Sequence, residues 1–222
     1  ICITLEAVKR FSFFASVGVG WILLSVILAV ILWLQFSFLA ALPALLLCAV
    51  LMRFFYDPDR ELPSHPLGIM SPVDGVVESV ELMYDPFLER PSQRVRIKPD
   101  LMGVYHGRSP IEGKIMQYWP VLSQDKQEYT RHATRGVWWV KTDEDDDLVI
   151  VASAGFTLGK SGCEIQVGER MGQARRCGRF PLNGKIDLLL DERTYIEAVE
   201  GQHVLAGMDR IATLNHEKAP AT

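Results

Sequence analysis

The 222-residue sequence has no basic block, and its net charge of −4 leaves no Lys/Arg-rich face for nucleic acid to dock on. Cysteine is scarce and unpatterned. Cys2, Cys48, Cys163 and Cys177 fit no zinc-type spacing, so no metal site is expected and the thiols read as reduced. His65, His132, His203 and His216 stand apart from one another and read as surface residues. The acidic run Asp143–Asp147 lacks the ligand register of a calcium loop and reads as a solvated hairpin tip. The most consequential absence is of charge: no Asp, Glu, Lys or Arg occurs from Phe11 to Met52.

A membrane span takes about 20 apolar residues, so the uncharged stretch holds two. The pattern predicts helices near Val17–Leu34 and Phe36–Phe55, a turn at Gln35-Phe36-Ser37 and a kink at Pro43. Lys9 and Arg10 precede the pair and Arg53 and Arg60 follow it, which places both ends on the cytoplasmic side. Residues 1–56 are therefore read as a membrane anchor, 57–68 as a polar, Pro-rich linker, and 69–222 as a second domain facing the cytoplasm.

Beyond the linker the texture becomes β. Alternating segments predict strands at Ile69–Val80, Arg94–Lys98, Gly113–Trp119, Gly136–Lys141, Leu148–Ala152, Cys163–Val167, Lys185–Leu190, Tyr195–Val199 and Arg210–Leu214. Two internal echoes organise them. Ser71-Pro72-Val73-Asp74-Gly75 recurs as Ser109-Pro110-Ile111-Glu112-Gly113, and Gly168-x-x-Met171-x-x-Ala174 as Gly201-x-x-Val204-x-x-Gly207. Gly75, Gly113, Gly168 and Gly207 are expected in turns, with early and late strands sharing sheets. The expected fold is a pseudo-duplicated hybrid β-barrel or sandwich, resembling the barrels of biotinyl and lipoyl carriers.

Several motifs in fixed order resemble the phosphatidylserine decarboxylase family, in its short prokaryotic form. They are Phe54-Phe55-Tyr56-Asp57-Pro58-Asp59-Arg60, Ser71-Pro72-Val73-Asp74-Gly75, Arg108-Ser109-Pro110-Ile111-Glu112-Gly113-Lys114, Asp125-Lys126, Ala154-Gly155, Cys163 and Gly168-Glu169-Arg170. Members of that family need no external cofactor. A serine in a Gly-Ser peptide attacks the preceding carbonyl and becomes an N-terminal pyruvoyl group, which forms a Schiff base with the lipid's amine. Lys185-Ile186-Asp187 looks like the family's Arg-Val-Asp, which sets its Gly-Ser on Asn183-Gly184. Glycine has no β-carbon, and no Ser, Thr or Cys lies between Phe180 and Leu190. The resemblance also maps the family's catalytic aspartate onto Asp74, read locally as an Asx-turn residue, and its histidine onto Tyr105, one step before His106.

The resemblance implies a membrane protein of phospholipid metabolism whose self-processing position is degenerate. It implies binding of membrane phospholipid, or pairing with an active relative or a second copy, with Arg108, Lys114, Lys160 and Lys185 as candidate phosphate contacts. Two alternatives stand beside this. One is a working carboxy-lyase that uses Asp74 with His106. The other is a carrier modified at Lys185, just after a hairpin turn.

Overall fold

A computed structural model describes residues 16–60, 65–101, 103–104, 106–120, 134–153, 155, 162–163, 166–180 and 184–215. The chain divides into two compact units, Ile1–Arg60 and Glu61–Thr222.

The first unit contains α1 (Ser16–Gln35) and α2 (Phe38–Phe54), close to the expected bounds. Helix α2 runs through Pro43. The two helices fold back on each other along a seam of small buried residues, Ser25 and Ala29 on α1 and Ala41, Ala44 and Cys48 on α2. Small side chains let the helix backbones approach, as membrane helices do when lipid offers no hydrophobic incentive to associate. Gly18 is needed for the same reason, because a Cβ there would lie 2.1 Å from the Phe55 ring. Most other side chains are apolar and exposed, among them Trp21, Leu24, Ile27, Trp33 and Leu46. By length and composition α1 is long enough to cross a membrane, while α2 is a shorter apolar helix.

The second unit is built from β1 (Gly68–Met70), β2 (Gly75–Asp85), β3 (Arg90–Pro99), β4 (Gly107–Arg108), β5 (Gly113–Trp119), β6 (Thr134–Lys141) and β7 (Asp147–Ser153). It continues with β8 (Gly162–Cys163), β9 (Arg170–Met171), β10 (Arg176–Arg179), β11 (Lys185–Asp191), β12 (Tyr195–Ile196), β13 (His203–Val204) and β14 (Arg210–Thr213). All pairings are antiparallel. The largest sheet runs β13-β2-β3-β11-β7-β6-β5-β9, beside the three-stranded sheets β1-β14-β12 and β4-β10-β8. Early strands thus pair with late ones.

Sheet pleating sorts side chains onto two faces. Ile186, Leu188 and Leu190 of β11 join Ile97, Val95, Ile150, Trp138 and Val77 in the main core. Leu189 points the other way, into a smaller cluster with Val149, Val151, Val137 and Phe87. Buried on both faces, this central strand reads as a continuous apolar run.

Several expectations are corrected. The segment Ile69–Val80 is two strands, interrupted at Ser71–Asp74, and Val167 lies in a turn beyond β8. Gly168 and Gly207 do take positive φ, 92° and 71°. Gly75 and Gly113 instead open strands, where neighbouring backbone passes too close for a side chain. A Cβ would lie 2.2 Å from the Lys98 carbonyl oxygen at Gly75 and 2.5 Å from that of Lys141 at Gly113. Cys177 is in a disulfide rather than reduced. Its strand β10 pairs with β8, so that Gly178 stands opposite Cys163.

Candidate functional site

Asp74 lies buried in the interruption between β1 and β2. Its Oδ1 accepts the Ala206 N–H at 2.7 Å and its Oδ2 the Val104 N–H at 3.2 Å. Its carbonyl accepts the Asp100 N–H at 2.9 Å. These two side-chain partners are remote in sequence, so Asp74 acts as a tertiary staple beyond the local turn role expected. Gly103 packs against it closely, since a Cβ there would lie 3.1 Å from the Asp74 Cβ.

The same staple positions His106. This half-buried residue lies in the bend before β4. At one end of its loop Val104 holds the Asp74 carboxylate, and at the other the Arg108 N–H donates to the Pro72 carbonyl at 2.8 Å. The loop is therefore fastened twice to the Pro72–Asp74 segment. Gly107 then fits beneath Phe180, whose ring would lie 2.1 Å from any Cβ at that position. Phe180 packs edge-on to Trp138, and Trp138 stacks on Tyr118, whose phenol pKa is raised by burial. Gly184 is buried immediately before β11. Just beyond it Asp187 receives a two-pronged hydrogen bond from Arg96, at 2.7 and 2.8 Å, locking β11 to β3. The structure thus draws the Asp74 segment, the His106 loop and Phe180 into one region.

The proposed cations scatter. Arg108 is buried, and its Nη1 donates to the Ala174 carbonyl at 3.2 Å, so it serves the interior. Lys114 is exposed on β5, three strands from β11 and so about 14 Å away across the sheet. Lys185 is half-buried and paired with Glu78 at 3.3 Å, unlike the free, protruding lysine of a carrier. Lys160 and Asn183, like Tyr105, fall outside the described residues.

One feature was invisible in the sequence. His203 Nε2 and Asp100 Oδ2 lie 2.7 Å apart on the surface. The pair ties β13 to the residue that also donates to the Asp74 carbonyl. Register sets His203 opposite Val76 and Val76 opposite Lys98, so these three share the outer face of the sheet. Only the long-range pairing of β13 with β2 creates this cluster. Among the described residues no group of His, Cys, Asp and Glu is arranged to hold a metal ion.

The family model described as phosphatidylserine decarboxylase matches residues 47–212. A phosphatidylserine decarboxylase proenzyme of Nitrosomonas europaea is 28% identical over 193 residues, covering 84% of this chain and 89% of the relative. Proenzymes of the same name from Aromatoleum aromaticum and Cupriavidus metallidurans are each 26% identical, over 88% of this chain and 94% of the relative.

Proposed function

The chain belongs to the phosphatidylserine decarboxylase family, and from that premise we propose that it is a membrane-anchored phospholipid-binding member that has lost self-processing. Gly184 carries this reading. Conversion of a residue to a pyruvoyl group needs a side-chain oxygen or sulfur on a β-carbon, and glycine offers none. The residues at this position therefore do not fit the family's self-made prosthetic group. Elsewhere in the domain Asp74 is held by two amides and Asp187 by Arg96.

The role we assign is binding of anionic phospholipid, or control of an active relative through pairing. We read the domain as a pseudo-duplicated hybrid barrel, supported by matched hydrogen bonds such as Met70 N–H to Pro110 O and Arg108 N–H to Pro72 O, both 2.8 Å. The apolar helices support an anchor in the bilayer. Basic flanks argue for a cytoplasmic β-domain, whereas the Cys177 disulfide argues for an oxidising compartment. Alkylation of cells lysed directly into denaturant decides between them, because Cys177 is buried: modification at Cys177 supports the cytoplasmic side, and protection until reduction opposes it.

The test of function uses the purified full chain with vesicles of phosphatidylserine, and of phosphatidylcholine as control. Expected is saturable flotation with phosphatidylserine vesicles and no formation of phosphatidylethanolamine. Steady production of phosphatidylethanolamine would establish instead a carboxy-lyase working through other groups. Asp74 and the His106 loop, fastened together as described, are the first residues to alter in that case.

A further inference from the structure

The helical hairpin contains a groove that its anchoring role does not require. Its volume is about 250 Å³, and it is lined by Val26, Ala29, Val30 and Trp33 of α1 and by Phe38, Ala41 and Leu45 of α2. No polar surface lines it. The geometry follows from the seam. Ala29 and Ala41 are almost fully buried and form the floor, because small residues bring the helices together. Val26, Val30 and Trp33 rise as one wall and Phe38 and Leu45 as the other, each between 41% and 59% exposed.

We propose that this groove is a binding site for one acyl chain of a membrane phospholipid. The inference rests on the reading that α1 and α2 lie in the bilayer. Three observations select this occupant. The lining offers no hydrogen-bonding group, so the ligand portion is hydrocarbon. The groove follows α1 from Val26 to Trp33, about 10 Å along the helix axis, the direction in which lipid chains lie beside a spanning helix. It begins at the hairpin turn, where Trp33 and Phe38 flank its mouth as aromatic side chains do at a membrane interface.

The experiment labels the full-length protein, in dodecylmaltoside micelles, with lysophosphatidylcholine carrying a photoactivated diazirine near the end of its chain. Labels should concentrate on Val26, Ala29 and Ala41, saturate, and be competed away by unlabelled lysophosphatidylcholine. The wall-filling double change Val30→Phe/Leu45→Phe should weaken apparent affinity about tenfold, equivalent to 1.4 kcal/mol. Leu46→Phe, on the same helix but outside the groove, should leave it unchanged. Label spread evenly over Leu24, Ile27 and Ile31 without saturation would overturn the proposal, as would adducts joining two chains through Ala41. If the double change lowers helical content by circular dichroism, competition on the unaltered chain decides alone. Carbonate washing of native membranes reads the anchor separately. Release there with saturable labelling in micelles would sink the anchor and keep the groove, and retention with unsaturable labelling would do the reverse.

Discussion

Two stretches of the β-domain share one backbone pattern and use it differently. In the first, Val77 N–H donates to Gln202 O and Gly201 N–H returns to Val77 O; in the second, Ile115 N–H donates to Glu169 O and Gly168 N–H returns to Ile115 O. Ser71 and Ser109 each turn a hydroxyl onto the carbonyl two residues ahead, at 2.7 and 2.6 Å. Gly207 and Ala174 donate to the backbone of those same serines, both at 2.8 Å. The carboxylates at corresponding positions then diverge. Asp74 is buried and receives two backbone amides, whereas Glu112 is exposed and meets Arg170 at 3.2 Å. The shared frame holds the strands together; the buried carboxylate organises the loop that carries His106. The hydrogen-bond frame serves stability in both stretches, and in one of them it also holds the candidate site.

The largest effects should be common to both stretches. Gly75→Ala and Gly113→Ala each drive a methyl group into a neighbouring backbone, and each should cost about 3 kcal/mol or more in urea unfolding of the detergent-solubilised chain. A large loss at one and none at the other would break the equivalence.

The carboxylates should then separate the two. Asp74→Ala leaves the Val104 and Ala206 amides without their acceptor and should cost about 2–4 kcal/mol. Asp74→Asn, which keeps one acceptor oxygen, should recover part of that. Glu112→Ala removes only an exposed pair and should cost less than about 0.5 kcal/mol. Equal losses at Asp74 and Glu112 would contradict the division of roles.

Smaller again is the surface clip. His203→Gln or Asp100→Asn should cost under about 1 kcal/mol, because both side chains are well exposed. Either change should nevertheless speed hydrogen exchange at the Val104 amide, since the clip steadies that loop. Unchanged exchange would remove His203 from the account.

The smallest effect is a pH dependence further along β2. A hydrogen bond from Arg94 holds the Glu81 carboxyl below its ordinary value of 4.5, against the opposing effect of burial. A lowered folded-state pKa means the contribution is present above 4.5 and fades as pH falls through the lower folded value. Glu81→Gln should slightly flatten the acid limb of the stability curve. With nearly half of the Glu81 side chain exposed, solvent screening keeps the effect small.

Much of the architecture was legible because alternation and uncharged runs are local signals. Gly113–Trp119 is a strand with the bounds read from sequence, and the two apolar helices end within two residues of expectation. The short strands β4, β9, β10 and β13 were missed, since two to four residues carry no periodicity. Those strands decide the site. Pairing of β4 with β10 carries Arg108 into the interior, away from the phosphate contact expected of it. Pairing of β13 with β2 brings His203 to Asp100, 103 residues away in sequence. Asp74 was singled out through the family resemblance, but its partners at Val104 and Ala206 could be found only by folding the chain.

The claim on which the functional account rests is that Gly184 ends the family's self-processing chemistry. Intact-mass analysis of freshly purified protein, with and without borohydride in the presence of an amine, addresses it directly. The account predicts a single uncleaved chain with no reducible adduct. Two fragments divided between Asn183 and Gly184, the second with a carbonyl-reactive terminus, would contradict it.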